Sequence, residues 1–171
     1  MQHNTPNSRE DATVDGGTRK VLTFSLGGEV YGVDILRVKE IRGWSPVTRI
    51  PQSPDSLLGV LNLRGVIVPI VDLRKKFDLP VADFNAMTVT IVLSLHTAGG
   101  IKEHGFVVDA VRDVVDLAPA NIRPAPEVGS TSANEFIEAI ATHDEQMLIL
   151  LNAESLAAKD PALTDAAVQA A

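Results

Sequence analysis

The sequence predicts an all-β domain, built as barrels or as a sandwich. Three observations carry that prediction. Apolar residues recur with period two, as at Leu22, Phe24 and Leu26 and again at Val89, Ile91, Leu93 and Leu95. Short turn signals, Gly27-Gly28, Arg64-Gly65 and Gly99-Gly100, punctuate these runs. No stretch carries the 3.6-residue apolar period of a long amphipathic helix.

Taken in order, residues 1–19 are polar and cannot bury enough apolar area to offset ordering entropy, so a disordered tail is expected there. Leu22 to Leu26 reads as a strand, Gly27-Gly28 as a two-residue hairpin turn, and Tyr31, Val33 and Ile35 as the return strand. Val38 to Trp44 reads as an edge strand with Val38, Glu40 and Arg42 on one face. Ser53-Pro54-Asp55 has the form of a helix start, which Gly59 ends after about one turn. Val60–Leu63 and Val66–Val71 form a hairpin about Arg64-Gly65, and Asp72 caps a brief helix from Leu73 to Phe77. Val89 to Leu95 is expected as a half-buried strand with Gly105–Val108 as its partner. Met147 to Leu151 is a continuous apolar strand, and Glu154 to Lys159 a short helix. The domain is expected to span 20–157, with 158–171 a loosely ordered end.

An internal echo runs through this pattern. Tyr31-Gly32-Val33-Asp34-Ile35-Leu36-Arg37 parallels Phe106-Val107-Val108-Asp109-Ala110-Val111-Arg112, and Ile70-Val71-Asp72-Leu73 parallels Leu150-Leu151-Asn152-Ala153. Two similar β-modules in tandem explain the near-equal offsets, and chance likeness among Val-rich strands explains them equally well.

Composition narrows the function. The 171 residues carry 15 Lys+Arg against 22 Asp+Glu, a net charge of −7, without a dense basic run, which argues against nucleic acid as a partner. Aromatics are only 4%, so the core must be aliphatic. No apolar run is long enough to span a bilayer and the N-terminus does not read as a secretory signal, so a cytoplasmic protein is expected. The absence of cysteine removes disulfides, thiolate metal sites and cysteine nucleophiles.

Catalytic constellations are not legible. His3, His96, His104 and His143 lack metal-ligand spacing and read as solvated tail or turn residues. No G-x-S-x-G elbow or phosphate-cradling glycine loop occurs, and no cofactor is expected. A small-ligand barrel or hydrolase using His104 and Asp109 between the barrels rests on residue types alone. Arg64, at a hairpin tip, is either a solvated cation or a guanidinium offered to a carboxylate. Val38–Trp44 is either an irregular edge strand or an apolar spot ringed by charges, the makeup of a docking patch. Trp44 reads as a packing residue.

VDILRVKEIRG (33–43), VTRI (47–50), NLRGVIVPIVDLR (62–74) and IRPAP (122–126) together resemble the CheW-like domain family, over roughly Lys20 to Leu156. The resemblance implies two SH3-like five-stranded β-barrels packed together, with short helices at connections and at the C-terminus. It implies an adaptor without catalysis of its own, holding the regulatory domain of the histidine kinase CheA to the cytoplasmic tip of methyl-accepting chemoreceptors in signalling arrays. The adaptor would meet the array without inserting into the membrane. The same domain occurs in CheA and CheV, but room for a phosphotransfer, kinase or receiver unit is not expected here. A non-flagellar chemosensory circuit is the alternative within the family. Glu40 and Arg64 resemble the family's surface acid–base pair near the receptor-binding region. Val38, Val111 and Val114 resemble apolar receptor or kinase contacts. Leu22 and Ile35, with Val38, resemble kinase contacts, although alternating Leu and Ile on strands are more often core. Gly59 and Gly105 match family glycines and read as turn residues.

Overall fold

The computed structural model describes residues 17–126 and 135–158. Eleven strands are described: β1 (Arg19–Leu26), β2 (Glu29–Asp34), β3 (Val38–Gly43), β4 (Leu57–Leu63), β5 (Val66–Asp72), β6 (Val89–Thr97), β7 (Gly100–Val108), β8 (Ala110–Leu117), β9 (Ile122–Pro124), β10 (Ile137–His143) and β11 (Gln146–Leu151). Two short helices follow hairpins, α1 (Leu73–Lys76) and α2 (Ala153–Ala158). Single 3-10 turns stand at Ile35–Arg37 and Pro119–Asn121.

The strands form a six-stranded sheet, β8-β1-β2-β11-β10-β9, and a five-stranded sheet, β3-β6-β7-β5-β4. The expected turns are present. Gly27 and Gly28 both take positive φ, as a tight hairpin requires, and Arg64 and Gly65 do the same, with the Asn62 carboxamide accepting the Gly65 N–H at 2.8 Å. Ala98-Gly99, rather than Gly99-Gly100, turns β6 into β7. Asp72 caps α1 by accepting the Arg74 N–H.

Period two survives, but both faces of the central strands are buried, because each sheet curls over its own core and also packs on the other sheet. Leu22, Phe24 and Leu26 of β1 and Ile91, Leu93 and Leu95 of β6 meet between the sheets. Val21 of β1 joins Leu117, Leu148 and Leu150 inside the first sheet. Val92 joins Val68, Ile70 and Val107 inside the second. The expected half-buried strand at 89–95 is therefore buried on both faces through Thr90–Leu93. Each fully buried Leu, Ile or Phe contributes about 1.5–3 kcal/mol, which is how an aliphatic interior holds three small cores.

The internal echo is structural. In the first sheet the β1–β2 hairpin is followed by β11 lying parallel to β2. In the second the β6–β7 hairpin lies parallel to β5. After each hairpin the chain crosses over: β3 edges the sheet of β6, and β8 edges the sheet of β1. The two modules thus exchange one strand. Closure also repeats. After β3, Thr48 and Val60 exchange backbone hydrogen bonds of 3.0 and 2.8 Å, sealing β4. After β8 the corresponding segment makes three pairs with β10 and is counted as β9, which is why the first sheet has six strands rather than five.

Several local expectations change. β1 begins at Arg19, one residue inside the segment read as a tail; residues 1–16 and 159–171 lie outside the described residues. Ile35 is not on β2, since Asp34 ends that strand by accepting the Leu36 N–H and starting a 3-10 turn. Ser53 does not start a helix: its hydroxyl donates to the Ile50 carbonyl, leaving only a turn from Pro54 to Leu57. Gly59 and Gly105 are not turn residues. They lie within β4 and β7, where a Cβ would stand 2.3 Å from the Thr48 carbonyl oxygen and 2.5 Å from Ile70 Cδ1, respectively. His104 is not solvated either: it is buried on β7 beside Phe106.

Candidate functional surface

β3 and β4 are opposite edges of the second sheet, yet its curl brings them within ion-pair range. Arg64 Nη2, at the β4–β5 turn, lies 3.5 Å from Glu40 Oε2 on β3. The other Glu40 oxygen lies 3.6 Å from Arg42 Nη1. Both contacts are long, and the Arg64 side chain is 80% exposed. One carboxylate therefore faces two guanidinium groups. The Arg64 pair is loose, and an exposed ion pair of this kind is worth only about 0–1 kcal/mol.

Local irregularity shapes this edge. A bulge between Val38 and Glu40 in the β3–β6 pairing turns Glu40 and Arg42 toward the half-buried side and leaves Ile41 exposed. Val66, two residues beyond Arg64, is exposed as well. The strand is thus both an irregular edge and an apolar spot bordered by charge. Trp44 packs on Phe84, with ring centroids 4.4 Å apart, and against the core of the second sheet.

The remaining expected contacts divide between the sheets. Val38 on β3 and Val111 on β8 are half-buried and both lean on the core between the sheets, while Val114, also on β8, is 53% exposed. Leu22 is only 2% exposed and sits within that core, so it supports the surface from beneath. Ile35 is half-buried on the 3-10 turn; its neighbour Leu36 is 86% exposed, the most exposed of the large apolar residues described. Sequence reasoning missed Leu36. The adjacent Ile35-Leu36 pair was the available signal, since consecutive apolar residues at a strand end cannot both face one core.

His104 and Asp109 do not form a site. Asp109 accepts the Gly27 N–H at 2.9 Å and pairs with Arg74 at 3.4 Å. His104 lies in the interior, where burial, with Lys76 and Lys102 nearby, pushes its imidazole down to about 4. Two open polar clefts, of about 320 and 290 Å³, are lined by neither residue. Among the described residues no group of three or more His, Cys, Asp or Glu is placed to hold a metal ion. Nor is any described helix long and apolar enough to cross a membrane.

Comparison with known proteins agrees with this arrangement. The CheW-like domain family model matches residues 20–160. The chain is 47% identical to chemotaxis protein CheW of Klebsiella aerogenes over 148 residues, covering 86% of this chain and 87% of that one. It is 37% identical to a probable chemotaxis protein CheW of Rhizobium etli over 144 residues, 84% of this chain and 90% of that one. The crystal structure of the scaffolding protein TtCheW from Thermoanaerobacter tengcongensis superposes with a TM-score of 0.76 at 32% identity, covering 85% of this chain and 97% of that one. With a family model matching most of the chain, a 47% identical relative and a superposable scaffold structure, the chain belongs to the CheW family of chemotaxis scaffold proteins, which are adaptors and not enzymes.

Proposed function

We propose that this scaffold couples methyl-accepting chemoreceptors to the histidine kinase CheA, working in the cytoplasm at receptor arrays. The observation that carries the reading is the loose Glu40–Arg64 pair on the closed edge of the second sheet, with Ile41 and Val66 exposed beside it. An apolar contact ringed by exchangeable charge suits a helical receptor tip bearing carboxylates. Val38, Val111 and Val114 extend the receptor contact across both sheets. Ile35 and Val38, with Leu22 supporting them from below, contribute the contact with the kinase regulatory domain. Individual contacts of this kind are moderate, and a lattice of receptors and kinases strengthens them through effective concentration.

Arg64→Glu tests the reading. The substitution places two carboxylates together but leaves the core untouched, so stability should change by about 1 kcal/mol or less. Capture by CheA should persist, whereas capture by a receptor cytoplasmic fragment, and receptor-dependent stimulation of CheA autophosphorylation, should weaken. Unchanged stimulation would remove Arg64 from the receptor contact. Capture of the unaltered chain by neither partner would remove the coupling role itself.

A further inference from the structure

Arg74 is a buried cation outside the docking edge, with its side chain only 3% exposed. Asp72, the cap of α1, accepts its backbone N–H at 3.0 Å and takes its guanidinium at two points, Nε at 3.3 Å and Nη2 at 3.4 Å. The third nitrogen, Nη1, reaches Asp109 Oδ1 at 3.4 Å in the crossover between β7 and β8. Asp109 then fastens the tip of the β1–β2 hairpin. Its Oδ2 accepts the Gly27 N–H at 2.9 Å, and its own N–H donates to the Ser25 carbonyl at 3.1 Å. The Phe84 ring covers the guanidinium at 5.1 Å, and Trp44, just beyond β3, packs on Phe84.

We propose that Arg74, acting through Asp109, is a positioning residue that sets the first hairpin in a defined place on the second sheet, so that the kinase-facing and receptor-facing sides respond to one another. The inference rests on the coupling role proposed above. The cluster sits between its two halves: Gly27 follows the strand that carries Leu22, and Trp44 follows the strand that carries Val38 and Glu40.

Two features favour positioning over simple stabilisation. Desolvation largely offsets the attraction within a buried ion cluster, so apolar side chains would hold the sheets together as well, but without directional bonds to fix their register. The other module, moreover, carries the matching contact in an exposed form. Glu154, second in α2 as Arg74 is second in α1, meets Arg37 of the β2–β3 crossover at 2.6 Å, both about one-third exposed. The crossover residues Asp109 and Arg37 are alike about one-third exposed, but the helix-borne partner is buried and doubly held in one module and part-exposed in the other, so the Arg74 side is the better-fixed reference for the hairpin.

Asp109→Ala in the full chain tests the proposal, because Asp109 is partly exposed and its loss leaves the Arg74–Asp72 pair intact. Affinities for CheA and for a receptor cytoplasmic fragment are measured separately, alongside receptor-dependent kinase stimulation and amide exchange at Gly27. The expected result is retention of both affinities, faster exchange at Gly27, and stimulation reduced about fivefold or more, the range of a coupling between sites. Asp109→Asn keeps one acceptor for Gly27 but turns its amide NH2 toward the donor-only guanidinium, so it should restore slow Gly27 exchange without restoring stimulation, and full stimulation by this variant would remove Arg74 from the device. Full stimulation by Asp109→Ala despite faster Gly27 exchange would overturn the proposal. Loss of either affinity would overturn it too, by making Asp109 a contact residue. Failure of the unaltered chain to bind both partners would instead defeat the coupling role on which it rests.

Discussion

Gly59→Ala should open the second sheet at the seam that supports the Glu40–Arg64 pair. A Cβ at this position stands 2.3 Å from the Thr48 oxygen, 2.8 Å from the Thr48 carbonyl carbon and 2.9 Å from Val47 Cγ2, and Gly59 has a φ of +153°. The first two neighbours are backbone and cannot rotate away. Reaching ordinary contact distance requires Thr48 to retreat by about 1 Å. Its hydrogen bonds with Val60, now 3.0 and 2.8 Å, would then lengthen to near 4 Å and be lost. Two backbone bonds are worth about 1 kcal/mol each, and a strained φ adds about 1–3 kcal/mol. The expected destabilisation is about 3–5 kcal/mol, read from the urea midpoint, with faster amide exchange at Thr48 and Val60. Gly65→Ala separates the two causes. Gly65 has a φ of +87° but open space around its Cβ position, so that variant should lose only about 1–2 kcal/mol. A loss below about 1 kcal/mol for Gly59→Ala, with both amides still protected, would refute the closure argument.

Other outcomes follow from burial. Leu22→Ala should cost about 2–5 kcal/mol in denaturant unfolding, as for a residue in the core between the sheets. Leu36→Ala should leave stability within about 0.5 kcal/mol and, if Leu36 belongs to the kinase contact beside Ile35, weaken CheA capture. His104 predicts an acid-sensitive fold. Burial pushes its imidazole down to about 4 in the folded chain, against about 6.5 for an ordinary histidine, so the unfolded chain binds the extra proton between those values. Its contribution is fully present above pH 6.5 and is lost as pH falls toward 4, about 3 kcal/mol in all. His104→Gln should flatten that part of the stability profile, and an ordinary His104 midpoint in an NMR titration would contradict it.

Much of this molecule is legible locally. The hairpins at Gly27-Gly28 and Arg64-Gly65 announce themselves because a two-residue turn needs positive φ, which few residues supply. The cap at Asp72 is readable for a similar reason. β8, β9 and β10 are not. Ile137–His143 contains alanines that favour helix, and its turn to β11 uses Asp144 and Glu145 at positive φ, without glycine or asparagine to mark it. Glu40 and Arg64 are identifiable by family resemblance, but they lie 24 residues apart in sequence and meet only because the second sheet curls one edge toward the other.

What the amino-acid order determined by itself was most of the short strands and the hairpin turns at Gly27-Gly28 and Arg64-Gly65, because period and turn chemistry are properties of neighbouring residues; only the topology separates the echo between modules from chance. Tertiary structure alone decided that β3 and β8 change sheets and that both faces of the central strands are buried. It also made Leu22 a core residue, left Leu36 on the surface and gathered Asp72, Arg74, Asp109 and Gly27 into one cluster. The physical reason is that an apolar side chain on a strand is equally suited to any of three cores. Which one it enters depends on the path of the chain between strands, and no local pattern encodes that path.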